Sequence, residues 1–298
     1  MNAEPLKLGI FYTISAYILW GFLPIYWKAV DYVPAGEILA HRIIWSFVFM
    51  LILVMLTGNW SSFIEVCKQM LHERKQLIGI TFASILISIN WLTFIWAVNS
   101  NHVIQASLGY YINPLISILL GVIVMKEKLT RRQILSFVLA AFGVLYLTFS
   151  FGVFPWISLL LAFSFAFYGL LKKMVKVSAM FSLTIETMIV TPIALIYLFL
   201  LPEDVFSFTN PSVLTNITLM GGGIVTAIPL LLFAIGAKHI PLSMIGFLQY
   251  FSPTIMLILG VFLFNETFTS AHLVAFLFIW SALIIYMLSA YQRPIRNR

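Results

Sequence analysis

The chain has 298 residues, of which 62% are hydrophobic and 9% charged, a balance that excludes a water-soluble domain and marks an integral membrane protein. Its formal net charge is +7, but the cations are scattered between apolar runs with no stripe of groove-reading or stacking residues, so no nucleic-acid partner is expected. A solitary cysteine, Cys67, excludes an internal disulfide framework.

Apolar runs close to the ~20 residues that cross a ~30 Å hydrocarbon layer recur along the chain, and in lipid they are predicted as helices because an open strand leaves its backbone unsatisfied. Ten are read: Leu8 to Trp27, Ile38 to Thr57, Leu77 to Ala97, Val103 to Met125, Ile134 to Phe149, Val153 to Leu171, Ala179 to Leu200, Val213 to Ile235, Leu242 to Phe264 and Ala271 to Ala290. The first follows Lys7, fills the bilayer and lacks a small-residue cleavage site, so it reads as a retained helix and not a signal peptide. From Gly58 to Gln76, Trp60, Phe63, Ile64, Cys67, Met70 and Leu71 recur at helical spacing beside Lys68, Arg74 and Lys75, the pattern of a short helix lying on the bilayer. Trp27, Trp60 and Trp156 fall near expected interfaces, where they read as belt anchors.

One stretch occurs twice. Ala106 to Glu127 returns as Ile245 to Glu266, with Tyr111, Pro114, Ile116, Leu120, Gly121, Val122 and Glu127 matched by identical residues. Pro114 frees the carbonyl of Tyr110 and Pro253 that of Gln249, and such groups are tolerated in a membrane only where protein or a watery cavity meets them. A paired flaw in two halves points to a binding site. Fifteen of the 17 Lys and Arg fall on one side if the N-terminus is cytoplasmic, leaving Lys28 outside and Arg42 within a span. Both termini are therefore expected in the cytoplasm. Five crossings per half put the second half upside down, and KEKLTRR after the first copy against NETFTSA after the second agrees with that inversion. The expected fold is an all-α membrane protein of ten transmembrane helices in two inverted five-helix repeats, residues 1–150 and 151–298, the architecture of alternating-access carriers.

Charged groups inside spans are functional by default, since one at the bilayer centre costs about 2.5 to 3.5 kcal/mol on insertion scales. Glu37 and His41, four apart, share a helical face with Arg42 one step round. The trio reads either as a carboxylate-binding or proton-carrying cluster or as an interfacial ion pair that snorkels to the headgroups. Glu186 lies about two turns into its span, with Lys172 and Lys173 as candidate partners, and reads as a coupling or gating group or as a structural lock. No charge is expected at the very centre. A substrate site is therefore expected among Asn90, Tyr110, Asn113, Gln249 and Tyr250, selecting by shape, stacking and a few hydrogen bonds, although Asn90, Asn113, Gln249, Gln105 and Thr226 equally suit helix-to-helix glue. Gly221, Gly222 and Gly223 read as a close approach of backbones or as an unwound binding segment. The five histidines never fall at ligand spacing and no phosphate-cradling glycine loop occurs, so no metal, cofactor or ATP is expected.

The stretches EILAHRIIWS from Glu37, NWLTFIWAVN from Asn90, ASLGYYINPL from Ala106, SFAFYGLLKK from Ser164, IETM from Ile185 and FLQYFSPT from Phe247 resemble those of RarD permeases, in the EamA group of the drug/metabolite transporter superfamily. The resemblance covers nearly all ten spans. It implies a ten-helix inner-membrane carrier of small organic solutes, linked by family name to chloramphenicol sensitivity. The chain departs from the pattern at Gln105, where an acidic residue is expected before ASLGY, so no proton-carrying role is implied there. Two other readings are a membrane-embedded lipid-modifying transferase, with Glu37 and His41 as acid and base, and a flippase for a lipid-linked metabolite. If transport is coupled to protons, Glu186 and the Glu37 with His41 pair are the expected carriers, and the sequence leaves open both the coupling and the oligomeric state.

Overall fold

The computed structural model describes residues 3–99, 103–152, 154–201, 213–264 and 268–291. Among them the chain forms helices α1 (Ala3–Lys28), α2 (Ala35–Leu56), α3 (Trp60–His72), α4 (Arg74–Asn99), α5 (Val103–Ile123), α6 (Arg131–Phe151), α7 (Trp156–Met174), α8 (Ala179–Leu200), α9 (Val213–His239), α10 (Leu242–Gln249), α11 (Phe251–Phe262) and α12 (Ser270–Tyr291). Ten segments are long and apolar enough to cross a bilayer, with α10 and α11 together making the ninth crossing. Large apolar side chains such as Phe11, Leu56, Phe149, Phe199 and Phe262 point outward, as a lipid-facing surface requires.

Local chemistry sets several ends away from the apolar runs. The run expected from Val153, which lies outside the described residues, starts helically only at Trp156, after Pro155. Thr130 and Gln133 form a reciprocal capping box that carries α6 three residues ahead of Ile134, and α6 stops at Gly152, whose φ of 66° suits a residue without a Cβ. The surface helix expected from Gly58 to Gln76 is α3, a separate helix from α4. It inserts Phe63 and Met70 among Val54, Ile80, Phe181 and Ile185, leaving Trp60 and Leu71 on the outside.

Successive crossings alternate, so the start of α1, the ends of α2, α5, α7 and α9 and the start of α10 share one face of the bundle, here the near face. Side-chain contacts support that grouping: Lys173 at the end of α7 reaches Ile240 just past α9, and Thr130 before α6 meets Ser289 at the end of α12. On the far face Trp96 of α4 lies against Trp156 of α7, and Tyr26 of α1 bonds to the Thr218 carbonyl of α9.

The helix contacts come in pairs that an exchange of halves would interconvert. With α1, α2, α4, α5 and α6 matched to α7, α8, α9, α10–α11 and α12, the α1–α9 contact maps onto α7–α4, α2–α9 onto α8–α4, and α5–α7 onto α11–α1. Contacts α2–α8, α5–α10 and α6–α12 map onto themselves. Helices α5, α7, α9 and α10–α11 are the most deeply buried crossings, and α6 and α12 pair with each other at the edge of the bundle. The main core holds a knot of rings, Tyr17, Trp20, Phe165, Tyr168 and Phe233, with centroids 5.5 to 6.1 Å apart.

Candidate functional site

The two proline spans meet face to face. Gly246 of α10 lies where a Cβ would stand 2.7 Å from the Pro114 carbonyl oxygen and 2.8 Å from Ile118, so glycine is what allows α10 and α5 to touch. The twins nevertheless differ in shape. Helix α5 runs unbroken through Pro114. At Tyr250 the second span tightens into an i to i−3 turn, the Tyr250 N–H donating to Phe247 at 3.3 Å, before α11 resumes at Phe251. The Thr254 hydroxyl also donates to the Tyr250 carbonyl, at 2.7 Å.

Charges fasten the near end of this crossing. The Glu127 carboxylate, on the loop after α5, accepts from the N–H groups of Leu242 (2.6 Å) and Ser243 (2.9 Å), capping α10 where its dipole is positive. Lys173 donates to the carbonyls of Ala237 (3.2 Å) and Ile240 (2.5 Å), holding the end of α9. Beside them a pocket of about 450 Å³ opens on the near face, lined by Pro5, Glu127, Lys173, Lys238, His239, Ile240 and Pro241.

One layer deeper, Lys172 Nζ lies 2.7 Å from Glu186 Oε1, with the side chains 1% and 2% exposed. Ser182 accepts from Lys172 at 2.9 Å and donates to Glu186 at 2.8 Å, while the Tyr168 hydroxyl donates to Glu186 Oε2 at 3.3 Å. A buried pair is tolerable when its remaining hydrogen-bonding capacity is met in this way. Lys238 stands close enough to feel both charges. Of the two lysines weighed as partners for Glu186, Lys172 is the one paired, and Lys173 caps α9. On its inner side Glu186 borders a small cavity of about 20 Å³, whose other walls include Ser84, Ser88, Trp91 and Thr187.

Arg42 alters the expectation of an uncharged centre. Its side chain, 7% exposed, extends from the far half of α2 so that Nε donates to Thr226 Oγ1 at 3.1 Å, midway along α9. The guanidinium lies over both Trp27 and Trp91, 4.5 Å from each ring centroid. Trp27 is therefore an inward clamp and not a belt anchor. The reach of a three-methylene stem plus a close helix crossing explains the difference: Gly223 of α9 rests against the backbone of Trp45 and Ser46, and Ser46 Oγ donates to the Gly223 carbonyl at 3.0 Å. The glycine triplet thus sits inside a continuous α9, at a close approach of backbones.

The other sequence-predicted residues are dispersed. Asn90 is half-buried and donates to the Leu161 carbonyl (2.8 Å) and Ser164 Oγ (2.9 Å), joining α4 to α7. Asn113 is buried and accepts from Ser117 at 3.3 Å. Tyr110 is half-buried, stands edge-on to Phe94 and lies within electrostatic range of Arg42. Tyr250 is buried in the α5, α6 and α12 cluster, its hydroxyl donating to the Tyr111 carbonyl at 3.4 Å, on a different side from the cavity. Gln249 is buried with Oε1 unmatched by any protein donor. Glu37 and His41 are both buried at the start of α2. The Gln105 side chain, like Asn265 and Glu266 of the second copy, lies outside the described residues.

The profile of the EamA-like transporter family matches residues 7–149 and again residues 154–288. The chain belongs to the EamA-like transporter family. Within it, the RarD permeases are its kin: it is 44% identical over 292 residues to protein RarD of Escherichia coli strain K12, covering 97% of both chains, and 46% identical over 289 residues to the uncharacterized transporter YojE of Bacillus subtilis strain 168, covering 97% and 96%. It is also similar to the chloramphenicol-sensitive protein RarD of Pseudomonas aeruginosa, 25% identical over 277 residues, with 93% and 92% covered. A solved crystal structure at 16% identity superposes with a TM-score of 0.73 over 98% of this chain and all of the other, which speaks to the fold alone. This transporter has two near-face groups that sequence reasoning passed over, Glu127 and Lys173 in their capping roles. Glu127 carried a signal, being one of the identities retained between the two copies.

Proposed function

We propose that this transporter is a secondary carrier of the bacterial inner membrane, with both termini in the cytoplasm, that moves a small, neutral or zwitterionic and partly apolar metabolite or drug by alternating access. The observation that carries this reading is the difference between the proline twins, α5 unbroken through Pro114 and α10–α11 tightened at Tyr250. One sequence pattern held in two backbone shapes is a bistable element. Exchanging the shapes between halves would move the closure from one face to the other. The cavity beside Glu186 has room for about one water, so an organic solute enters only when the inner helices part. Lys172 with Glu186, Glu127 with α10 and Lys173 with α9 then close the near face, and they must separate for release on that side.

Proton coupling is assigned to Glu186 and to Glu37 with His41, buried carboxyl and imidazole groups of the membrane-spanning helices. The test is uptake and efflux in proteoliposomes, screened over amino acids, aromatic metabolites and amphenicol drugs with and without an imposed pH gradient. The last class is included because one relative is named for chloramphenicol sensitivity. Glu186→Gln is expected to lose accumulation against a gradient while keeping downhill exchange. Unchanged gradient-driven transport in Glu186→Gln and in Glu37→Gln with His41→Ala would remove the proton-carrier role and leave facilitated diffusion.

A further inference from the structure

We propose that Arg42 is an anion-recognising residue and that the cargo carries a carboxylate on an apolar or aromatic body. This inference rests on the transport reading and changes its charge class, from a neutral cargo to one that carries a carboxylate, as a zwitterion or a monoanion. A guanidinium offers five N–H donors in a planar fork. Arg42 spends one of them, the Nε–H, on Thr226. Two tryptophan rings engage the guanidinium by cation–π attraction, but among the described residues its terminal nitrogens have no hydrogen-bond acceptor. Among the described residues no carboxylate stands within ion-pair distance of Arg42. Nor do its terminal nitrogens rank with the buried polar atoms sealed away from both solvent and partners.

The same protein shows how it treats a structural buried cation. Lys172 receives a carboxylate and a hydroxyl, both within 3 Å. A buried charge without a counter-ion is unfavourable, so one held rigidly in that condition is readied for an anion that arrives. The rigidity is built in: Trp27 packs against Gly222, where a Cβ would stand 3.3 Å from its ring, and Arg42 itself packs against that glycine. The two ring contacts and the Thr226 bond restrain a fork that a carboxylate can meet with two parallel hydrogen bonds. A single positive charge balances a monoanion. A dianionic phosphate would call for a second cation, and Lys28, the other lysine or arginine read toward that side, lies over Phe264 at 4.5 Å. Trp91, Phe94 and Tyr110 supply ring surface for the rest of the molecule.

The experiment uses the full chain in lipid nanodiscs and reads tryptophan emission and thermal stability during titration with acid and amide pairs of matched shape: phenylacetate and phenylacetamide, benzoate and benzamide, hexanoate and hexanamide. In at least one pair the acid is expected to bind about tenfold or more tightly than its amide, as a charge-assisted bidentate contact implies. Arg42→Gln should erase that preference and Arg42→Lys should keep part of it. If Arg42→Gln does not fold, the drop in preference in Arg42→Lys decides. Equal affinity for acid and amide in every pair, no binding of any acid, or a preference undiminished in both variants would overturn the proposal. Acid that binds but never crosses proteoliposomes would reject the transport reading and still support the anion site. Conversely, amide carried as fast as acid, with Arg42→Gln as active as wild type, would reject the anion site and leave transport standing.

Discussion

Lys172 and Glu186 face each other at 2.7 Å across α7 and α8, sealed from solvent and tied together by Ser182. Removing one member leaves the other charge buried and alone, which typically costs about 3 to 5 kcal/mol, whereas replacing both with apolar residues of similar volume is often neutral or stabilising. Lys172→Met and Glu186→Leu are each expected to lower the melting temperature in detergent by many degrees. The double variant should recover most of the loss. It should also leak, because the contact that closes the near face is gone. Additive losses in the double variant would show that the pair does not act as a unit.

Gly223 gives a second, purely steric prediction. A Cβ there would press on the backbone of Trp45 and Ser46, which cannot yield, whereas one at Gly222 would meet the ring of Trp27 at 3.3 Å and one at Gly221 the hydroxyl end of Tyr26. Overpacking against backbone costs roughly 1 to 3 kcal/mol. Gly223→Ala should therefore melt lowest of the three alanine variants, and by separating α2 from α9 it should weaken the Ser46 and Thr226 contacts together. Equal melting temperatures across the series would mean that the helices part at no cost.

The fold was legible because hydrocarbon leaves the backbone few choices: run length gave the crossings, and odd-numbered repetition gave their arrangement. What sequence could not supply is where long side chains end. Arg42 was placed near the outer end of its span by counting residues, yet its guanidinium reaches Thr226 midway along α9, since a guanidinium travels several ångströms from its Cα and a glycine-lined crossing brings α9 to it. Tyr250 and Asn113 show the converse. Proximity to a repeated proline suggested a shared site, but helical rotation turns the Tyr250 ring toward α6 and α12. Glu186 was nearly solved on paper, because a short buried carboxylate needs a cation and Lys172 stood at the right height.

Topology is open to a direct check. A reporter active only outside the cytoplasm is expected to give signal when fused after Asn101, Phe151, Asp204 or Thr269, and none after Lys75, Arg132, Lys176 or Lys238. These positions follow from fifteen cations on one side. Signal at Arg132 would overturn the inverted arrangement, since Arg132 lies at the start of α6 on the same face as Glu127 and Lys173.

The proline twins carry the prediction with most reach. Pro114→Ala returns an N–H that can bond to the Tyr110 carbonyl, and Pro253→Ala does the same for Gln249. Because α5 is already continuous while α10–α11 is tightened at Tyr250, the two changes should not be equivalent in this state. Pro253→Ala should straighten the second span, whereas Pro114→Ala should leave the present geometry alone and oppose the shape that α5 adopts when the halves exchange. Both variants are expected to insert normally and to transport slowly, yet to accumulate in opposite conformations. Spin labels on α5 and α12, with Cys67 replaced by serine so that the native thiol does not compete, would read those populations as distances. Burial pushes the Cys67 thiol up from its ordinary range, so it labels slowly even where it is retained. Identical distance distributions in the two variants, together with wild-type rates, would reduce the repeated prolines to a trace of duplication with no part in the cycle.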